Sequence, residues 1–293
     1  MDPRRLKLLL ELSRLGSMRA VAEVSGMSTS TVSQQIAVLS REAGTALIEP
    51  AGRRVRLTPA GRRLADHAVT ILAALDAARV DLDPDATPSG SVRVAAFASA
   101  VRQSLMPVVR TLADSHPDVR LRIHEHEPSE AMALLASDDV DLALTYDYNL
   151  APATFGRSVT TSALWETAWS LGVPTTEKRT SDDALAMFDR FRDYDWIVNS
   201  RNTADEDVVR TVASLAGFQP RITHRADSLE LVQDMIVAGL GIGLLPAGRP
   251  TVNGVRLLLL RDPDITLRAY AVARRGRTDW SPLALVLGLL SER

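Results

Sequence analysis

The first 45 residues carry apolar positions at helical spacing in three short segments, which small and polar residues separate. The apolar positions are, in chain order, Leu6, Leu9, Leu10 and Leu12; Ala20, Val21 and Val24; and Val32, Ile36 and Leu39. Asp2 suits the start of the first segment, Gly26 can end the second in the left-handed conformation, and Ser28 can cap the third. The pattern therefore predicts three helices, the last two of which meet at a tight turn.

The outward face of the third predicted helix carries short hydroxyl and amide side chains instead of the usual Lys and Glu. These side chains are Thr29, Ser30, Thr31, Ser33, Gln34 and Gln35. Gln can pair bidentately with adenine, Ser and Thr can bond to several bases, and a helix fits the major groove of DNA. The pattern favours base recognition by this face. The alternative is an ordinary packed helical hairpin with a polar outer surface.

A basic segment follows, in which Thr45–Leu57 is typical of two short strands joined by a turn. Its arginines, Arg53, Arg54 and Arg56, can follow a phosphate backbone or enter a minor groove, and the alternative is a solvated run of charge. Residues 1–63 contain 11 Lys and Arg against 5 Asp and Glu, a net charge of +6, whereas the whole chain has a net charge of −2. Because phosphate binding needs local basicity, this distribution favours a nucleic-acid contact.

Two motifs in this region are specific. Ser28–Leu39 reads Ser-x-x-x-Val-Ser-x-x-Ile-x-x-Leu, and Arg54–Gly61 reads Arg-Val-Arg-Leu-Thr-Pro-Ala-Gly. Together they resemble the N-terminal domain of the LysR-type transcriptional regulators, which implies a winged helix-turn-helix over residues 1–58 that binds operator DNA. Ile48 stands where the family usually has Phe, and Pro50 where it usually has Arg. The second departure removes a phosphate contact and implies a looser grip on the DNA backbone.

Thr58 as a cap and Pro59 at the first helical position begin a segment with no helix breaker before Pro84. A helix of about 25 residues would be about 38 Å long. Its apolar stripe consists of Leu64, Ala68, Ile71, Leu75 and Ala78, widened by Val69, Leu72 and Leu82. A second copy of the helix would cover this stripe, so we expect a dimer; packing onto the chain's own later domain is the alternative. The resemblance implies that residues 59–90 are a linker helix and hinge that pair two heads on an inverted repeat.

Strands and helices alternate after the hinge. The predicted strands are 92–97, 119–126, 141–145, 168–173, 196–199, 221–224, 241–245, 255–260 and 267–273, and the predicted helices are 101–115, 129–136, 183–191, 205–216, 229–238 and 282–291. This alternation predicts an α/β fold with a parallel sheet and right-handed crossovers. Crossing strands would join two lobes and leave a cleft between them.

This layout is similar to the effector domain of LysR-type regulators, which is itself like the periplasmic solute-binding proteins. The resemblance divides residues 91–293 into lobe I, about 91–160 and 266–293, and lobe II, about 161–265. The predicted fold class is therefore α/β, with an N-terminal winged helix-turn-helix, a long linker helix and a two-lobed effector domain like a periplasmic binding protein. A small-molecule effector would bind in the cleft.

Small molecules bind beyond the carboxyl ends of strands in open α/β sheets, where helix N-termini offer free N–H groups. The candidate ligand residues on these loops are Ser99, Ala100, Arg102, Gln103, Ser129, Thr145, Tyr146, Ser200, Asn202 and Asp227. Matching the family's usual effector positions favours Ser99, Gln103, Thr145, Ser200 and Asn202, whereas Ser129 and Ser228 are expected to be helix caps. The predicted cleft contains charges of both signs, so the ligand's charge stays open. The positive residue is Arg102, and the negative residues are Glu127, Asp147 and Asp227. A small carboxylate or an amino acid is the expectation from helix termini and the family resemblance.

Composition narrows the remaining possibilities. The 293 residues are 46% hydrophobic, which supports folded cores, and contain no Cys, which excludes disulfides and thiolate sites. Gly239–Gly243 follows a predicted helix and precedes a strand, the reverse of a dinucleotide-binding loop. His124 and His126 share one strand face but lack a third metal ligand nearby. The sequence also lacks a Gly-x-Ser-x-Gly motif, so no enzyme activity, metal or cofactor is expected.

The leading interpretation is a cytoplasmic LysR-type regulator that binds inverted-repeat operator DNA, a small-molecule effector and a second copy of itself, with a tetramer and a contact to RNA polymerase as further options. No stretch of about 18 uncharged apolar residues occurs, so no membrane span is expected. Two alternatives stay open. One is a cytoplasmic solute-binding or sensory module whose head contacts proteins, and the other is an α/β enzyme with a helical dimerisation arm.

Overall fold

The structure is a computed structural model that describes residues 1–51, 54–83, 87–178 and 183–292. Its N-terminal head contains three helices and a two-stranded antiparallel wing. The elements are α1 (Pro3–Leu15), α2 (Met18–Ser25), α3 (Thr29–Ala43), β1 (Ile48–Ala51) and β2 (Arg54–Leu57). The predicted helix ends at Asp2, Gly26 and Ser28 are confirmed, since Asp2 and Ser28 accept hydrogen bonds from the first turns of their helices and Gly26 ends α2 in the left-handed conformation. Ser17 caps α2 in the same way, and Gly16 and Gly44 end α1 and α3.

The head closes around the apolar faces that the periodicity predicts. Leu9, Val21, Val32 and Ile36 are completely buried against one another. The long helix α4 (Pro59–Leu82) follows, with Thr58 as its cap and 24 residues against the predicted 25 or so. Its first turn lies so close to the head that a Cβ atom on Gly61 would be 2.1 Å from the carbonyl oxygen of Leu47. Only glycine allows this approach.

The predicted apolar stripe of α4 is divided between the chain's own packing and solvent. Ala68 and Val69 are buried, and Leu64 and Leu72 are half-buried, because the first half of α4 packs on α1 and on the core of the head. Ile71, Leu75 and Leu82 are 39%, 37% and 85% exposed. The expectation that a second copy covers the whole stripe is therefore wrong for its first part, which the same chain covers.

The later domain also contacts α4 directly. Arg274 donates a hydrogen bond to Asp66 at 2.7 Å, and the backbone and side chain of Ser281 donate to Asp76 at 3.1 and 2.7 Å. Gly276 packs against Thr70. These contacts fix the helix on lobe I by polar groups, so the exposed apolar residues of α4 lie on another side.

Among the described residues of the domain that follows, nine strands form one sheet. Its strands are β3 (Gly90–Ala96), β4 (Val119–Glu125), β5 (Leu142–Tyr148), β6 (Val159–Pro174), β7 (Asp195–Val198), β8 (Arg221–Arg225), β9 (Ile242–Pro246), β10 (Val255–Leu259) and β11 (Ile265–Arg274). The order is β4-β3-β5-β11-β6-β9-β7-β8, with β10 paired to β6. The predicted parallel pairing holds within each lobe, for β3 with β4 and β5 and for β7 with β8 and β9.

The two strands that cross between the lobes depart from that prediction because they run antiparallel to their neighbours. β11 pairs with β5 and β6, and β6 pairs with β9 and β10, all antiparallel. The prediction that β6 begins near residue 168 is also wrong, because its polar first half pairs with β11 from Val159 onward. The pairing with β11, which no local pattern encodes, extends the strand.

Helices cover both faces of the sheet. They are α5 (Ala98–Ala100), a π-helical turn (Val101–Leu105), α6 (Met106–Ser115), α7 (Pro128–Ala136), α8 (Ala184–Arg190), α9 (Ala204–Leu215), α10 (Leu229–Val237) and α11 (Ser281–Ser291). The predicted helix 101–115 thus starts three residues earlier and contains a π turn. In the described part of the chain, no helix is long and apolar enough to cross a membrane.

Candidate functional site

The outward face of α3 is a free polar surface. Thr29, Ser30, Ser33 and Gln34 are exposed, while Val32 on the opposite side is fully buried in the head. The side chains of Thr29, Ser33 and Gln34 have no hydrogen-bond partner among the described residues. Their donors and acceptors are therefore available to an external ligand with matching groups, such as the edges of DNA bases.

Three of the predicted face residues, Ser30, Thr31 and Gln35, are already engaged within the head. The Ser28 hydroxyl lies 2.8 Å from the hydroxyls of both Ser30 and Thr31, and Thr31 is half-buried, so Thr31 belongs to the capping network more than to the outer face. Gln35 accepts a hydrogen bond from Arg5 at 2.9 Å. These bonds fix the start of α3 and its orientation on α1.

The wing places Arg56 opposite Glu49, to which its guanidinium donates at 2.7 Å. Arg56 remains 69% exposed at its side chain. An exposed ion pair of this kind contributes at most about 1 kcal/mol, so a phosphate can replace Glu49 at little cost. Arg53 and the side chain of Arg54 lie outside the described residues, and their predicted phosphate contacts stay predictions.

A second candidate site is a cavity of about 80 Å³ between the two lobes. Helix starts and strand ends from both lobes line it, together with the crossing strands β6 and β11. Its aromatic residues are Phe97, Tyr146, Trp165 and Trp169, and its polar residues are Ser99, Gln103, Glu127, Thr167, Asn199, Asp205, Asp227 and Arg249. The cavity has room for about five to eight water-sized groups, so a small compound fits.

Four of the ten predicted ligand residues line this cavity, namely Ser99, Gln103, Tyr146 and Asp227. Ala100 packs in the core of lobe I and does not reach it. Thr145 is buried in β5 next to Tyr146, and successive side chains of a strand point to opposite faces. With Tyr146 facing the cavity, Thr145 faces away and does not line it.

The other four predicted residues lie around the cavity instead of lining it. Arg102 is exposed and pairs with Glu230 at 3.3 Å. Ser129 donates to the carbonyl oxygen of Arg201 at 3.2 Å and does not cap α7, whose N-cap residue is Glu127, so the capping role predicted for it is wrong. Ser228 caps α10 as predicted.

Ser200 and Asn202 hold the cavity's carboxyl groups in position. The Ser200 hydroxyl donates to Asp227, and the Asn202 amide donates to Glu127 at 2.6 Å and to the Tyr146 hydroxyl at 3.1 Å. Burial raises the pKa of Asp227, but hydrogen bonds from Ser200 and Arg201 lower it to a net value below its ordinary one. Asp227 is therefore an ionised carboxylate whose charge its neighbours balance.

The two other carboxyl groups of the cavity are much less well compensated. Burial, with the negative charge of Asp227 as second cause, raises the pKa of Glu127 to about 7, against the hydrogen bond from the Tyr146 hydroxyl. Burial also raises the pKa of Asp205 to about 7, although the Tyr148 hydroxyl donates to its Oδ1 atom at 2.7 Å. Near neutral pH each of these two groups is therefore partly protonated.

Several of these contacts cross from one lobe to the other. Arg201 of lobe II lies within 3.5 Å of both Glu125 and Glu130 of lobe I. Tyr148 to Asp205 and Asn202 to Glu127 are further contacts between the lobes. The lobes are therefore closed over the cavity in this structure.

The sequence patterns missed Phe97, Trp165, Trp169 and Asp205 as cavity residues. Trp165, Thr167 and Trp169 alternate along β6, so period-two spacing could have placed them on one face had the strand been extended to residue 159. Asp205 has no comparable signal. For metal binding, the rings of His124 and His126 stack 6.5 Å apart, and the described residues include no group of three side chains suited to hold an ion.

Comparison with known protein families gives two matches that together span nearly the whole chain. Residues 3–62 match the family described as "Bacterial regulatory helix-turn-helix protein, lysR family", and residues 85–293 match "LysR substrate binding domain". Most of α4 lies between the two matches. The free polar face of α3 thus lies in the first domain and the cavity in the second.

Individual relatives and solved structures are similar to this chain over most of its length. The chain is 24% identical over 247 residues to the transcriptional dual regulator GltC of Bacillus subtilis, covering 84% of this chain and 81% of GltC. It is 27% identical over 279 residues to a probable hydrogen peroxide-inducible genes activator of Mycobacterium avium, covering 93% and 84%. A full-length OxyR variant from Pseudomonas aeruginosa shares the fold with a TM-score of 0.73 at 17% identity, over 99% of this chain and 94% of that one. Full-length CbnR complexed with its target DNA has a TM-score of 0.51 at 18% identity, over 100% and 99%.

Proposed function

This chain belongs to the LysR family of transcriptional regulators, and we propose that it binds inverted-repeat operator DNA in the cytoplasm through Thr29, Ser33 and Gln34 of α3. In this proposal Arg53, Arg54 and Arg56 of the wing contact phosphates, and Ser30 assists from the start of the helix. The observation that carries the proposal is the exposed polar face of α3, on which Thr29, Ser33 and Gln34 have no hydrogen-bond partner among the described residues, while the opposite face is fully buried. A solvated helix needs no such set of unpaired amides and hydroxyls on one face.

The proposal includes a dimer formed through the exposed part of α4. Ile71, Leu75 and Leu82 recur at steps of four and seven residues, the spacing of a coiled-coil seam. A symmetric pair of helices would bury them and set two α3 helices on successive major grooves, with half-sites about one helical turn apart or a multiple of it. The same arrangement is compatible with a tetramer and with a contact to RNA polymerase.

The effector is proposed to bind in the interlobe cavity and to favour the closed lobes. A ligand shifts a conformational equilibrium only through different affinities for the two states. The closed state brings Tyr148 onto Asp205 and Asn202 onto Glu127, so a ligand that touches these groups distinguishes closed from open lobes.

The test begins with an operator selected from a random duplex library by the full-length protein. Fluorescence anisotropy then compares this operator with random DNA for the parent chain and for Gln34→Ala. Loss of a bidentate base contact should lower the preference for the operator by about 1–3 kcal/mol, roughly 5- to 150-fold. Gln219→Ala, an exposed glutamine in lobe II, is the matched control and should change nothing. Equal loss on operator and random DNA for Gln34→Ala would contradict base recognition by this face.

A further inference from the structure

We infer that the effector of the interlobe cavity is a small organic cation, a protonated or methylated amine, and not the carboxylate that helix termini alone would suggest. This inference deepens the proposed function and rests on it for its regulatory meaning. It follows from three features of the cavity, which are its uncompensated carboxyl group, its aromatic walls and its size.

The uncompensated group is Asp205. It is only 8% exposed, and its carboxylate has no Lys, Arg or His partner among the described residues. Its Oδ1 atom accepts from Tyr148, whereas its Oδ2 atom has no hydrogen-bond partner in the part of the chain that the structure describes. A buried carboxylate without a cation is strongly disfavoured, so either a proton or a cationic ligand must neutralise it.

The nearby arginines are paired with carboxylates other than Asp205. Arg201 pairs with Asp227, Glu125 and Glu130 and lies 3.9 Å from Glu127, and Arg102 pairs with Glu230 outside the cavity. Among the described lining residues, Arg249 carries the positive charge. It is exposed, so solvent and salt screen that charge. The enclosed part of the cavity is therefore negative, which repels an anion.

Four aromatic side chains surround the same space. Phe97 packs edge-on against Tyr146 with ring centroids 4.7 Å apart and lies 6.1 Å from the ring of Trp165, while Trp169 packs on Tyr148 at 5.5 Å. Aromatic residues make up only 4% of the sequence, so four of them around one small cavity is a pronounced concentration. Ring faces attract cations, most strongly where water is excluded, and quaternary amines are the ligands that such aromatic walls recognise best.

Size and the remaining polar groups define the ligand further. About 80 Å³ admits about five to eight water-sized groups, which suits a methylated amine with a short substituent. Asn199 is 6% exposed, and its amide nitrogen has no partner among the described residues, while the hydroxyls of Ser99 and Thr167 are equally unengaged. These groups can donate hydrogen bonds to one neutral oxygen atom on the same ligand.

The experiment uses three probes of similar shape and different charge on the full-length protein, namely tetramethylammonium, tert-butanol and pivalate. Isothermal titration calorimetry at pH 8 should give tetramethylammonium at least a tenfold lower Kd than tert-butanol, and no binding of pivalate. Equal or tighter binding of pivalate or tert-butanol would overturn the inference. The absence of binding by every amine from methylammonium to tetramethylammonium at millimolar concentration would overturn it as well.

Two variants locate the binding. Asp205→Asn keeps an oxygen to accept from Tyr148 but removes the charge, and it should weaken tetramethylammonium binding at least tenfold. Phe97→Leu should weaken tetramethylammonium more than tert-butanol. Glu230→Gln removes an exposed carboxylate outside the cavity and should leave both affinities unchanged. Unchanged cation binding by Asp205→Asn would contradict the assignment.

The DNA assay separates this inference from the proposed function. A protein that binds its selected operator but takes only anionic or neutral probes disproves the cationic effector and leaves the DNA-binding proposal intact. Cation binding in the cavity by a protein without operator preference has the opposite meaning. It supports the ligand class and disproves the regulator mechanism proposed above.

Discussion

The buried carboxyl group of Asp205 should make the stability of the protein fall as pH rises through neutrality. Burial raises its pKa from the ordinary 3.8 to about 7, so between these values the folded chain holds a proton that the unfolded chain has released. Stability rises with pH only where the unfolded state binds more protons, and here the folded state binds more. Its contribution is therefore fully present below pH 4 and is lost as pH rises to 7 and beyond.

The magnitude follows from the size of the shift. A shift of about three pKa units at about 1.4 kcal/mol per unit amounts to at most about 4 kcal/mol between pH 4 and pH 8. Asp205→Asn cannot ionise and still offers an oxygen to the Tyr148 hydroxyl. We expect the unfolding free energy of this variant to exceed that of the parent by about 1–2 kcal/mol at pH 5 and by about 3–4 kcal/mol at pH 8.

Urea unfolding at pH 5, 6, 7 and 8, followed by tryptophan fluorescence and by circular dichroism, measures the difference between variant and parent. The control is Asp205→Ala, which removes the acceptor as well as the charge. It should destabilise the protein at pH 5 by about 1–3 kcal/mol because the Tyr148 hydroxyl loses its partner. A difference between Asp205→Asn and the parent that stays constant from pH 5 to pH 8 would refute the reasoning.

Three further predictions concern the head and α4. Gly61→Ala should destabilise the protein by about 1–3 kcal/mol in urea unfolding, because the new methyl group would lie 2.1 Å from a backbone carbonyl oxygen. The control Gly288→Ala, with open space around the glycine, should be neutral or slightly stabilising. Arg56→Ala should weaken binding to operator and random DNA alike and reduce the slope of log K against log salt by about 0.9; an unchanged slope would remove this residue from the phosphate contacts. Leu75→Glu should shift the protein from dimer to monomer in sedimentation velocity. The control Leu259→Glu changes an exposed leucine of lobe II and should leave the dimer intact. Loss of the dimer in both variants would indicate general misfolding.

Local signals account for the parts of the fold that the sequence predicts well. The helices of the head are fixed by caps such as Ser28 and by apolar spacing within a few residues, and the strand-helix alternation of both lobes is encoded in the same local way. β6 and β11 are different because their antiparallel pairing joins residues about a hundred positions apart. The length of β6 therefore depends on a partner that no short pattern identifies.

The burial of α4 shows a related limit. Its periodicity is the same whether a second copy or the chain's own domains cover a given residue, so the sequence alone leaves both covers open. The structure shows which residues the chain itself covers, because Ala68 packs in the head while Ile71 and Leu75 remain at the surface. Polar contacts such as Asp76 with Ser281, which occupy one side of the helix, join residues too distant in sequence to be anticipated.

The chemistry of the cavity was still less predictable, and Asp205 shows why. In the sequence it is one of three acidic residues in the first turn of α9, where a carboxylate is ordinarily exposed and stabilises the helix dipole. In the closed arrangement this carboxyl group is instead buried, Tyr148 of β5 donates a hydrogen bond to it, and burial raises its pKa. Closure therefore carries a penalty that either a proton or a cation can offset, and the two compete for the same group. Lower pH should then favour closed lobes without ligand, and a cationic effector should favour them at higher pH, with proton release accompanying its binding.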